Sequence, residues 1–290
     1  MAELTAASEI PRGAGAWASV PAPRLSFNLR LVPDVTMMFP DGDLRERLAL
    51  ARKSGFSAVE GGVPDKPREL KNALAAEGMS FLCMSAGRGR DEADAMGLAA
   101  IPGRQEAFRE SILEGIAAAS ELSCRIMHAV GGLVQDGERD EYEKVYRDNL
   151  HFTCERAAEA DIQILIEPIC AARQPRYIVQ THAKALEFVY SIGAPNLGLM
   201  ADIYHARMAG EALLEIVQKH ADRIPLVQVA DAPVRRQPRE EDPELDAIFC
   251  ALADQGWQGW ISAEYVPDGP LTESLAWTRL LSSWSRNTST

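Results

Sequence analysis

Nothing in this chain looks built to pair its cysteines. Cys83, Cys124, Cys154, Cys170 and Cys250 are an odd, scattered set with no CxxC spacing, which predicts free thiols in a reducing compartment and excludes a disulfide framework. No apolar run approaches the length of a membrane span, and the chain does not begin with a basic start followed by an apolar stretch. A membrane protein and a secretory signal are therefore not expected, and the location expected is cytoplasmic. There is no basic stripe, and the formal net charge is −12, so nothing neutralises a phosphate backbone and no nucleic-acid partner is expected. The first apolar segment, FNLRLVPDVTMMF, lacks the glycine-rich turn that an open dinucleotide-binding sheet places after its first strand.

What is present is a recurring pattern of short apolar runs that end in a polar residue. IQILIEPI (162–169) is β-branched and continuous, as a strand buried on both faces should be, and stops at Glu167-Pro168. Three later runs stop in the same way: NLGLMADIYH at Asp202 and His205, IPLVQVAD at Gln228 and Asp231, and WISAEY at Glu264. Taken singly, each has an ordinary alternative. Glu167 could enter a polar loop, Asp202 could cap a helix, Gln228 could be a satisfied core amide, and His205 could be a packed loop histidine. Together they need a common partner, because a carboxylate beside a core must be paired or neutralised.

These runs alternate with amphipathic segments along most of the chain. Strands are predicted at 24–32, 56–62, 80–86, 125–132, 162–169, 196–205, 224–231 and 260–265. Helices are predicted at 43–55, 68–78, 105–123, 139–161, 182–193, 211–222, 243–256 and 271–284, with a long loop after the third strand. The first helix shows the i, i+4, i+7 face Leu44, Leu48, Ala51 and runs to Gly55, a residue suited to a left-handed cap. Eight strand–helix pairs within 290 residues predict an α/β protein of the closed (β/α)8 TIM-barrel type. The domain organisation expected is a disordered extension over 1–23, rich in Ala, Pro, Gly and Ser, one barrel over 24–285, and a short tail over 286–290.

Parallel strands joined by helices send their C-terminal ends to one side, so Glu167, Asp202, Gln228 and Glu264 would line one mouth. Three carboxylates and an amide oxygen form a hard, all-oxygen set suited to Mg²⁺ or Mn²⁺. With such a cation holding a carbonyl oxygen and the neighbouring hydroxyl, the C–H between them becomes acidic, so proton transfer through an enediolate is consistent with these residue types.

The motifs IEPI (166–169), DIYH followed by Gly210-Glu211, VQVADAPVR (227–235), GWQGWISAEYVP (256–267) and IPGRQEAFR (101–109) together resemble the hydroxypyruvate isomerase family. That family lies among the xylose isomerase-like TIM barrels beside the ketose 3-epimerases. The resemblance covers about residues 25 to 285. It implies Glu167, Asp202, Gln228 and Glu264 as metal ligands, Glu167 and Glu264 as the acid/base pair, and His205, Arg235 and Glu60 as groups near the substrate. It implies a small keto or hydroxy acid or sugar as substrate, with hydroxypyruvate and tartronate semialdehyde as the reference pair, and it leaves a homo-oligomer open. The ketose 3-epimerases usually carry His where this chain has Gln228.

The chain also departs from the family pattern. Cys170 stands where the strand-5 motif normally has Asn, CMSAG lacks a His-Asn pair, Gly131-Gly132 replaces Gly-Lys, and RQPREEDPE replaces a glycine-containing loop. A sugar epimerase or a lyase or dehydratase of the same superfamily therefore stays open as an alternative, as does a non-catalytic binding barrel.

Overall fold

The computed structural model describes residues 30–135 and 138–281. The expected extension over 1–23, the start of the predicted first strand, the end of the predicted last helix and the tail over 286–290 lie outside the described residues. The strands are β1 (Leu31–Pro33), β2 (Ala58–Gly62), β3 (Ser80–Ala86), β4 (Ile126–Ala129), β5 (Gln163–Ile166), β6 (Leu197–Asp202), β7 (Leu226–Val229) and β8 (Trp260–Ala263). They form one eight-stranded sheet in the order β1-β8-β7-β6-β5-β4-β3-β2, and every pair is parallel. β1 and β2 close the barrel through a single parallel bridge between Asp34 and Glu60, where Val35 N–H donates to the Glu60 carbonyl at 3.1 Å.

The helices follow local signals in the sequence. They are α1 (Leu44–Lys53), α2 (Pro67–Glu77), α3 (Gln105–Leu122), α4 (Arg139–Ala158), α5 (His182–Ile192), α6 (Ile203–Ala209), α7 (Leu213–His220), α8 (Pro243–Asp254) and α9 (Leu271–Ser274). At the head of α1, Asp43 accepts from the N–H groups of Arg45 and Glu46 while the Glu46 side chain returns to Asp43 N–H, a reciprocal cap that satisfies otherwise open donors. The α1 cap falls one residue earlier than expected, on Ser54, and Gly55 takes the positive φ of 97° that follows it. α2 and α8 both open with proline at the first turn, where the missing N–H costs no hydrogen bond.

Two predicted elements change most. The predicted sixth strand stops at Asp202 because that residue's carboxylate accepts from His205 N–H and starts α6 directly. The last predicted helix, 271–284, is one α-turn followed by a 3-10 segment over Ala276–Leu280. There Trp277 is fully buried, stacks on Phe249 and donates to the Tyr265 hydroxyl at 3.0 Å, so it covers the barrel's own wall. The five cysteines are free thiols, as expected.

The barrel interior is layered. Cys83, Ile126, Leu165, Met200 and Leu226 form a buried apolar cluster, with Leu82 and Trp260 against it. Two residues further along the same strands stand Ser85, His128, Glu167, Asp202, Gln228 and Ser262. Because side chains on a strand alternate between faces, each of these points into the same lumen as the apolar residue two before it. A dry plug thus forms the floor, and a polar ring sits on it at the C-terminal mouth.

Candidate metal and proton-transfer site

All seven residues singled out in the sequence lie at this mouth, and the contacts link them into one array. Asp202 and Gln228 are register partners across β6 and β7, and Gln228 and Ser262 are register partners across β7 and β8. Glu60 Oε1 accepts from Ser262 Oγ at 2.6 Å and from Gln228 Nε2 at 3.3 Å. Arg235 Nη2 donates to Asp202 Oδ2 at 3.0 Å and to Glu264 Oε2 at 2.7 Å. Arg235 holds a positive φ of 56°, a costly backbone conformation for a non-glycine residue, and its loop is tied by Arg235 N–H to the Asp231 carbonyl and Val266 N–H to the Arg235 carbonyl. Asp231, which also ends a strand-like run, is not part of the array. It turns to Arg207, which also pairs with Asp242 and Glu244 and pins the loop after β7.

Three polar residues of this region were not picked out from sequence. His128 Nδ1 is 3.2 Å from Glu167 Oε2 and 3.4 Å from Ser85 Oγ. Ser262 holds Glu60. His182 is fully buried beneath Asp202: its Nδ1 meets Glu211 Oε2 at 2.8 Å, and its Nε2 accepts from the backbone N–H of Asp202 at 3.2 Å. An ionised Glu211 accepts the Nδ1 proton, which leaves Nε2 with the lone pair that Asp202 needs.

His205 is fixed in the opposite tautomer. Its Nδ1 accepts from the backbone N–H of Cys170 at 3.2 Å and lies 3.2 Å from the Cys170 Sγ. The ring proton therefore sits on Nε2, which lies 3.7 Å from Asp202 Oδ2 and 3.9 Å from Glu167 Oε1. Glu167, Asp202 and His205 offer atoms within 4.8 Å of one another, but a protonated Nε2 has no lone pair for a metal. His205 is thus a hydrogen-bond donor at the mouth. Cys170 is completely buried and takes part in orienting this ring.

Charge is out of balance in the array. Glu60, Glu167, Asp202 and Glu264 contribute four carboxylates, and Arg235 is the cation paired directly with two of them. Burial, with Asp34 beside it, pushes Glu60 up to about 7. Burial, then the Asp202 charge, raises Glu167, and burial raises Glu264 well above the usual range despite the Arg235 guanidinium. Burial lowers His128 to about 3 and His205 to about 4, so both rings are neutral near pH 7 and supply no compensating charge. Among the described residues, Gln228 Oε1 and Glu60 Oε2 are buried without a hydrogen-bond partner. Excess carboxylate charge beside an unpartnered amide oxygen is the environment that a hard divalent cation satisfies. The donor set fits Mg²⁺ or Mn²⁺.

The sequence matches the family described as xylose isomerase-like TIM barrel over residues 48–281. It is 30% identical over 253 residues to the hydroxypyruvate isomerase of Escherichia coli, covering 86% of this chain and 98% of that one. It is 30% identical over 251 residues to the 2-oxo-tetronate isomerase of Pectobacterium atrosepticum, covering 86% and 96%. A solved structure from Brucella melitensis, described as an AP endonuclease of family 2, superposes with a TM-score of 0.81 at 27% identity, covering 87% of this chain and 98% of that one. No helix among the described residues is long and apolar enough to cross a membrane. With its closed parallel barrel, its polar ring at the C-terminal mouth and these matches, the chain belongs to the xylose isomerase-like TIM-barrel family.

Proposed function

We propose that this chain is a metal-dependent isomerase that moves a proton between adjacent carbons of a small 2-keto acid bearing a neighbouring hydroxyl, with hydroxypyruvate and tartronate semialdehyde as the simplest pair. The observation that carries this reading is the charge deficit of the polar ring: four carboxylates and an unpartnered Gln228 Oε1 face one lumen above an apolar floor. Glu167, Asp202, Gln228 and Glu264 would hold the cation. When bound, it polarises the substrate carbonyl and stabilises negative charge on its oxygen.

The protein's own groups do the rest. Glu167 removes the C–H proton from one side, and Glu264 delivers a proton to the adjacent carbon from the other. A cation beside them keeps both ionised at the start despite burial, so Glu264 first takes the proton of the substrate's neighbouring hydroxyl and passes it to that adjacent carbon, while Glu167 returns its proton to the former carbonyl oxygen. His205 Nε2–H donates to a substrate oxygen, since its other nitrogen is committed to Cys170. His128 steadies Glu167, while Ser262 and Glu60 orient Gln228 so that its carbonyl oxygen is free. The apolar floor closes the lumen from below, which strengthens every electrostatic contact above it.

Phosphodiester hydrolysis, the activity suggested by the description of the Brucella structure, is a poorer fit. A chain with a formal net charge of −12 carries no basic surplus to receive a nucleic-acid backbone. The test is an assay of hydroxypyruvate isomerisation by purified protein stripped of metal and then given Mg²⁺ or Mn²⁺. Turnover that appears only with the ion, and disappears in Glu167→Gln and Glu264→Gln, supports the reading. Absence of turnover of hydroxypyruvate and of longer 2-keto acids with a neighbouring hydroxyl, with either ion, refutes it.

A further inference from the structure

We propose that His128 Nε2 accepts a hydrogen bond from the hydroxyl that isomerisation leaves on the former carbonyl carbon, which makes His128 the group that recognises the alcohol side of the reaction. This deepens the isomerase reading above and rests on it for the identity of that hydroxyl.

His128 is braced from both sides within the polar ring. It is the register partner of Ser85 on β3 and of Leu165 on β5. Its Nδ1 lies 3.2 Å from Glu167 Oε2, just past the end of β5, and 3.4 Å from Ser85 Oγ. Nε2 is further from the backbone than Nδ1, so on a side chain that points into the lumen it lies closer to the barrel axis. The residue is 2% exposed, and among the described residues Nε2 has no hydrogen-bond partner. A buried polar atom left unpaired is costly and uncommon in folded proteins. Beside Glu167 and facing the axis, the partner this atom is placed to meet is the substrate.

The tautomer follows from Glu167. A base that takes a C–H proton must be ionised, and an ionised carboxylate at 3.2 Å accepts the Nδ1 proton. The ring, neutral because burial disfavours its charged form, then carries its lone pair on Nε2. A lone pair has nothing to take from a carbonyl oxygen, but it does from an alcohol. The proton that Glu167 removes from the C–H returns to the former carbonyl oxygen as an O–H, while the second carbon is protonated through Glu264. The new hydroxyl therefore forms beside Glu167, where Nε2 waits as its acceptor.

His205 supplies the contrast. It flanks the other oxygen of the same carboxylate, with Nε2 3.9 Å from Glu167 Oε1, and its proton is on Nε2 because Nδ1 accepts from Cys170 N–H. Glu167 thus stands between an imidazole that donates and one that accepts. A carbonyl oxygen satisfies the donor alone, and the hydroxyl made from it satisfies both.

Two measurements on protein loaded with Mg²⁺ test this. The first is calorimetry with pyruvate, D-lactate and L-lactate, acids that cannot be isomerised and that differ in carrying a carbonyl or a hydroxyl on the second carbon. Wild type is compared with His128→Asn, which keeps a donor at the Nδ1 position and has nothing at Nε2, and with His128→Gln, which can place an amide oxygen at Nε2. The expected result is a preference for one lactate over pyruvate that falls ~5-fold or more in His128→Asn, the worth of one hydrogen bond, and is largely kept in His128→Gln. The second is ¹⁵N NMR of histidine-labelled wild type, which is expected to show His128 protonated at Nδ1 and bare at Nε2. A preference unchanged in His128→Asn, or lost equally in both variants, overturns the proposal, and so does a proton on Nε2. Because the probes are not isomerised, the result stands whether or not hydroxypyruvate is turned over.

Discussion

Arg235 Nη2 lies 2.7 Å from Glu264 Oε2, and the same nitrogen lies 3.0 Å from Asp202 Oδ2. One guanidinium thus bridges two carboxylates that the sequence places on different strands. Removing it leaves two largely buried carboxyl groups without their cation. Arg235→Met is expected to lose about 3–5 kcal/mol of stability without divalent metal, the usual cost of breaking a buried pair by deleting one partner. Mn²⁺ should return part of that loss. Thermal melts with EDTA and with Mn²⁺ check this, and an equal loss in both would show that metal and arginine act on different groups.

The carboxylates set the pH dependence. A carboxyl whose folded pKa is raised binds more protons folded than unfolded, so metal-free protein loses stability as pH rises from the ordinary 4.5 through about 7 at Glu60, with Glu167 and Glu264 acting in the same direction. A cation binds only after those protons leave. The Mn²⁺-induced rise in melting temperature should therefore grow from pH 5.5 to pH 8, with affinity changing up to ~10-fold per pH unit for each proton released. A rise independent of pH would mean that the ligating carboxylates are already ionised.

His182 and Glu211 touch no group that would hold the metal except through the Asp202 backbone. Glu211→Gln keeps the size of the side chain and removes the charge that sets the His182 tautomer. A weakening of Mn²⁺ binding by about 10–100-fold is expected, the usual effect of losing a partner that orients a ligand. Calorimetry with Mn²⁺ reads it directly, and unchanged affinity would leave the pair a purely structural bond.

Much of this site was legible in the sequence because a buried parallel strand advertises its own end. Glu167, Asp202, Gln228 and Glu264 each close an apolar run, and parallel topology then gathers them at one mouth. His128 escaped because it sits inside the apolar stretch RIMHAVGG, three residues before the first of its glycines. The two-residue step from Ile126 to His128, the same step that links Leu165 to Glu167, is the signal that would have found it. His182 opens a helix and reaches Asp202 across 20 residues of chain, a contact that no local pattern encodes. Cys170 reads as a small, partly buried thiol, yet it is completely buried and its N–H decides the tautomer of His205. The loop after β7, which lacks the expected glycines, takes its shape from Arg207 held by Asp231, Asp242 and Glu244, an arrangement that depends on three segments meeting.

Metal-dependent proton transfer between Glu167 and Glu264 is the central claim, and proton exchange in D₂O tests it most directly. Metal-stripped protein is incubated with hydroxypyruvate and a panel of longer keto acids and ketoses, with and without Mn²⁺, and followed by NMR beside Glu167→Gln and Glu264→Gln. The account predicts deuterium at the carbon next to the carbonyl, together with the isomerised product, only in wild type with metal, and a loss of at least ~10³-fold in either variant. Exchange that proceeds without metal, or that survives in both variants, would contradict it.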